Sequence, residues 1–170
     1  MTKTRRLALA SAAVIASACP AVAASPEPRR DGPWAFTERT EEDSSREQMA
    51  ATPAAEDNDV WLVLVCARAE VTASLMHNTQ FPPSAAAQRT LTLRSANFPV
   101  VTVGARLIQR NQLSIDSATT RHIFPLVSES DSLVVSMNDP GGAAHSYTFS
   151  LQPHGVALAG IVQNCLDEDL

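Results

Sequence analysis

Two cysteines set the frame. Cys66 ends the apolar run VWLVLVC, and Cys165 closes the segment SYTFSLQPHGVALAGIVQNCL, residues 146–166. In that segment Tyr147, Phe149 and Leu151 alternate with Ser146, Thr148 and Ser150, the pattern of a strand with one face to a core and one to water. Pro153 and Gly155 interrupt the alternation. Leu158, Ile161, Val162 and Cys165 then recur at i, i+3, i+4 and i+7, which puts Cys165 on the apolar stripe of a short helix. Two reduced buried cysteines, or a redox or metal pair, compete with a disulfide, but no CxxC occurs and the chain reads as exported, so a Cys66–Cys165 bond is expected. It would pin the last helix to the first strong strand and close a loop of about a hundred residues, contributing on the order of 4 kcal/mol through the unfolded chain.

Export is read from the start of the chain. Lys3, Arg5 and Arg6 precede LALASAAVIASA, the charged and apolar regions of a secretory signal. Cleavage after Ala21-Val22-Ala23 would release a periplasmic or secreted chain. Alternatively, Ala16-Ser17-Ala18-Cys19 resembles a lipobox, in which case Cys19 carries a lipid anchor and makes the only membrane contact. Without the three basic residues of the leader, the 13 Lys and Arg fall to 10 against 18 Asp and Glu, a net charge near −8. Such a chain is a poor ligand for nucleic acid or anionic lipid. Its expected organisation is a signal peptide over residues 1–23, a flexible segment over 24–33 and a single β-rich envelope domain over 34–170.

Along the chain, Trp34 and Phe36 open a strand that fades into an acidic stretch. Glu41, Glu42 and Asp43 there are read as a solvated turn rather than as metal ligands or acid–base groups. Residues 49–59, MAATPAAEDND, read as a mobile connection. Residues 60–66 are apolar on both faces and belong in the middle of a sheet. Val71, Ala73 and Leu75 continue as an antiparallel strand with Thr72 and Ser74 outward. TLTLRS and VVTVGARLIQ supply further strands, with Gly104 a candidate bulge. Residues 110–131 are mainly polar with an apolar patch at Ile123, Phe124, Leu126 and Val127. Leu133, Val135 and Met137 then lead through NDPGG into the strand of Tyr147 and Phe149, the clearest hairpin in the chain.

Chemistry is harder to find. His77 lacks a second histidine or cysteine at metal spacing, so it reads as a loop residue. Arg94, Arg106 and Arg110 would make an anion-binding surface only if they converged. Asp139, His145 and one of many serines can be written as a triad, but no nucleophile motif accompanies them. No catalytic residue, cofactor or metal is assigned. The hairpin tip, through Asp139 and His145, is the candidate interaction surface, because loops can vary without opening a core.

Several features also fall in one order: Trp34, the segment Glu42-Asp43-Ser44-Ser45, Cys66 at a strand end, Arg94 in LTLR, and FSLQPHGVALAGIVQNC. In this the chain resembles the exported proteobacterial proteins related to the type VI secretion accessory family VasI/TagO, over about 130 residues. The family's Asp after Phe is Ser150 here, and its Arg-x-Asp element is Arg94-Ser95-Ala96, lacking the acid. The resemblance implies a small disulfide-linked β-rich domain in a secretion-accessory role, bound to an envelope protein or cell-wall component. The expected fold is mainly β: an antiparallel two-layer or strongly bent sheet with a short C-terminal helix. The expected function is noncatalytic envelope interaction; an envelope-directed hydrolase with an unidentified active site is the alternative.

Overall fold

The structure is a computed structural model, and it describes residues 27–40, 46–81, 88–138 and 142–166. The proposed leader with Cys19, the acids Glu41, Glu42 and Asp43, and Asp139 at the hairpin tip lie outside the described residues.

Among the described residues ten strands form one antiparallel sheet. In chain order they are β1 (Arg29–Asp31), β2 (Trp34–Thr40), β3 (Arg46–Pro53), β4 (Val60–Ala67), β5 (Glu70–His77), β6 (Gln88–Arg94), β7 (Val101–Gln109), β8 (Gln112–Ile115), β9 (Ser132–Asn138) and β10 (Ala144–Ser150). Two helices complete the fold, α1 (Ser117–Ser128) and α2 (Gly155–Cys165). In space the strands run β1-β2-β3-β4-β5-β8-β7-β6-β9-β10. The sheet is not closed into a barrel, but it bends until the end of β3 meets β10. Ala54 bridges Phe149, the Ala55 N–H donates to the Thr148 carbonyl at 2.7 Å, and Trp34 Nε1 donates to the Leu151 carbonyl at 2.8 Å. Both helices pack inside the bend.

The apolar patterns explain the core. Leu62, Leu64 and Cys66 of β4 face inward, and their register partners Leu75, Ala73 and Val71 of β5 are buried with them. The opposite face of β4 is less covered: Val63 is buried, while Trp61 and Val65 are half-buried. The hairpin falls where the sequence puts it, with Leu133 opposite Phe149 and Val135 opposite Tyr147. Leu158, Ile161 and Cys165 form the buried stripe of α2, with Val162 packed beside it. Cys165 is bonded to Cys66 across 99 residues, with the two Cα atoms 5.9 Å apart.

Five local expectations are corrected. Residues 49–53 are not a mobile connection but part of β3, paired with β4 throughout and with β2 as far as Ala51; alanine-rich sequence is a weak strand former, and pairing overrides it. Arg29–Asp31 of the supposed flexible lead-in pair with Trp34–Phe36. The turn between them needs Gly32, which has φ +59° and whose Cβ would meet the Pro153 carbonyl oxygen at 2.6 Å. Ser74 is on the outer face, opposite Val63, but is buried there rather than exposed to water, and it accepts a hydrogen bond from Gln112 Nε2 at 3.2 Å. Gly104 pairs regularly with Thr90, and the register shift lies at Leu107–Gln109. Finally, the polar stretch around Ile123 contains a strand, β8, and a helix, α1. Asp116 caps α1 by accepting from the Thr119 N–H and hydroxyl, each at 2.9 Å. Thr120, Ile123, Phe124 and Val127 make its buried stripe.

Candidate functional site

The hairpin residues named from sequence are divided by the structure. Tyr147 belongs to the core at 8% exposure, and burial, together with the charge of Asp57, raises its phenol above the ordinary range. His145 follows the same alternation on β10, opposite Met137 and half-buried. The other histidines do not gather. His77 Nδ1 accepts from the Thr79 N–H at 3.1 Å beside the edge of Phe81. His154 Nε2 lies 2.7 Å from the Ser128 carbonyl oxygen, which can only accept, so His154 donates and ties the start of α2 to the end of α1. His122 is exposed on α1.

The three arginines do not converge either. Arg106 is opposite Gln88 at one end of β6, and Arg94 is at the other end, ~20 Å away along the strand. Arg110 lies in the turn that follows β7.

A cleft forms elsewhere, between α2 and the inner face of β1–β3, with a volume of about 260 Å³. Its floor follows from register. Arg29, Phe36 and Ala50 lie side by side on β1, β2 and β3, Glu38 and Gln48 form the next row, and Arg46 the row after that. Gln48 is in turn opposite Cys66, so the floor runs directly into the disulfide. The roof is the face of α2 that carries Ala157, Gly160 and Asn164.

Three anchors hold that roof. Cys165 fixes the C-terminal end to β4. Asp31 of β1 fixes the N-terminal end: its Oδ2 accepts from the Val156 N–H at 2.7 Å and the Ala157 N–H at 3.1 Å. This carboxylate does what an N-cap side chain would do, since His154 at the N-cap position makes no capping bond, and it places negative charge against the positive end of the helix dipole. In the middle, Gly160 lets the Gln48 side chain approach so closely that a Cβ there would lie 2.5 Å from Gln48 Nε2.

The polar groups of the cleft are only partly committed. Gln48 Oε1 is buried and has no hydrogen-bond partner among the described residues. Asn164, which lines the cleft, donates its Nδ2 N–H to the Gly160 carbonyl at 2.8 Å. Arg46 makes a loose pair with Glu38 at 3.8 Å, and both side chains are exposed, Arg46 the more so. Arg29 also lines the cleft and is exposed. Among the described residues that line it, two guanidinium groups against one carboxylate make the cleft cationic in an acidic protein. Phe36 and Ala157 supply apolar contact between the charged mouth and the buried amide. Among the described residues no group of three or more His, Cys, Asp or Glu side chains is arranged to hold a metal ion.

Sequence reading missed this site because β1 and β3, two of the three strands of its floor, come from segments that look unstructured. The available signal was the alternation of Gln48, Ala50 and Thr52 with Met49, Ala51 and Pro53, too low in hydrophobicity to stand out.

No family model and no curated protein matches the chain. Among solved structures, it is similar to the crystal structure of invasion-associated protein B from Bartonella henselae, with 14% identity, a TM-score of 0.55, and coverage of 81% of this chain and 97% of that one. At that identity the likeness is one of fold: a bent antiparallel β architecture is shared between the two chains.

Proposed function

We propose that this chain is a noncatalytic envelope domain, periplasmic or secreted, that binds its partner in the cleft beneath α2. The observation that carries the reading is the juxtaposition of a buried, unpartnered Gln48 amide oxygen with two exposed arginines under a helix anchored at both ends. A buried polar atom without a partner costs stability, so a ligand that satisfies it gains what the free protein lacks. An oxidising compartment is supported by the disulfide. The partner class is an envelope protein or cell-wall component, and the resemblance to VasI/TagO makes a secretion-accessory role the specific setting of this proposal. The histidines support a noncatalytic role by their placement: none of His77, His122, His145 and His154 lines the cleft.

Filling the cleft tests this. Ala159 lies on its rim and is exposed, so Ala159→Trp adds bulk without disturbing the core. Recovery of partner from envelope extracts, with peptidoglycan and membrane fractions assayed separately, should fall at least about tenfold for the folded variant. Equal recovery would move binding to another surface. The Asp139→Ala/His145→Ala variant then decides for or against the hairpin tip.

A further inference from the structure

We infer that the cleft takes the end of a peptide chain, with the ligand's terminal carboxylate drawn to the mouth that carries Arg29 and Arg46 and a backbone N–H donated to Gln48 Oε1. The inference rests on reading this cleft as the binding site and adds the chemical class of what enters it.

Size comes first. About 260 Å³ is smaller than the roughly 300–1,000 Å³ typical of sites that engulf a drug-sized ligand, so it suits the end of a chain better than a whole cofactor. Charge comes second. Among the described residues Arg46 holds one partner, Glu38 at 3.8 Å, and its planar group presents five donors, a geometry matched to a carboxylate. The Arg29 side chain forms no hydrogen bond or ion pair among the described residues. Polarity comes third. An unpartnered amide oxygen asks for a donor, which a carboxylate alone does not provide and a peptide N–H does. Phe36 lies on the floor one register step from Gln48, where it can cover a small side chain of the ligand.

The test is an amide-shift titration of the intact, oxidised protein with acetyl-trialanine, its C-terminal amide, and glucuronic acid as a carboxylate without peptide bonds. The expected result is saturable shifts at Gln48, Gly160 and Asn164 for the free-acid peptide, with binding at least about tenfold weaker for the peptide amide and for glucuronic acid. Arg29→Gln with Arg46→Gln should remove the preference for the free acid. Glu38→Gln, which frees Arg46 from its competitor, should tighten binding a few-fold. All three positions are solvent-facing, and circular dichroism confirms that the variants fold.

Equal binding of acid and amide overturns the carboxylate assignment, and equal binding of glucuronic acid overturns the peptide assignment. Absence of shifts at the cleft overturns the inference. The two levels separate cleanly: if Ala159→Trp abolishes partner recovery while the tripeptide does not bind, the binding cleft stands and its ligand class falls. Tripeptide binding with unchanged partner recovery gives the reverse.

Discussion

Arg68 and Ala69 turn the chain between β4 and β5 with φ of 53° and 61°, in the left-handed region that two consecutive L-residues occupy at a cost. Ala67 paired with Glu70 fixes a two-residue loop, and positive φ at both of its positions is the type I′ turn that matches the twist of the strands. Replacing Ala69→Gly should therefore stabilise the protein by roughly 1 kcal/mol, read as a raised urea midpoint with an unchanged slope. Thr120 shows the opposite economy. It is 1% exposed, and its Oγ1 accepts from the Ala73 N–H at 3.0 Å while lying 3.4 Å from the Ile115 carbonyl, so one hydroxyl serves a strand and the end of the next. Thr120→Val keeps the shape and strands the amide; the expected loss is about 1–3 kcal/mol, whereas Thr120→Ser should retain most of the stability.

Among the elements, α2 depends most on residues remote in sequence. Its first turn contains no acidic residue, and Asp31, more than a hundred positions earlier, accepts its free N–H groups. Asp31→Ala should cost on the order of 1–2 kcal/mol and raise hydrogen exchange in the first turn of α2. The cleft's roof would loosen with it, so peptide binding should weaken alongside. α1 carries its own cap at Asp116, which is why it forms despite Pro125 near its end: the proline removes one backbone donor, but the helix closes on the Glu129 N–H to Pro125 carbonyl bond at 2.9 Å. Asp116 was a legible start signal, and Thr120, Ile123, Phe124 and Val127 a legible stripe; the internal proline and the surrounding serines and threonines masked them.

Over the whole molecule, two devices hold the bend. The disulfide ties α2 across the inner face of the sheet, and Cys66→Ala with Cys165→Ala should lower stability by on the order of 4 kcal/mol, measured by urea denaturation. The second device is the join between residues 52–56 and β10. There the Glu56 carboxylate accepts from the Thr148 N–H at 3.0 Å, and its pKa is lowered by the Thr148 hydroxyl first and the Thr148 backbone second. Asp116 is lowered in the same sense by the Thr119 N–H and then its hydroxyl. With folded values depressed, the unfolded chain binds more protons, so these contributions are complete above the ordinary carboxylate range and disappear as pH falls through the folded values. Melting temperature followed from neutral to acidic pH should show that loss, and Glu56→Gln should flatten part of it. From sequence alone came the central β4 strand, the β9–β10 hairpin, the stripe of α2 and the Cys66–Cys165 bond, because each rests on a local hydrophobic period or on the scarcity of cysteine. The tertiary structure alone decided that alanine-rich β3 is a strand, that Asp31 caps a distant helix, and that Arg29, Arg46, Gln48 and Gly160 share one cleft. Those features depend on pairing partners, and on a sheet bend that brings together residues whose own sequence neighbourhoods carry no period strong enough to reveal them.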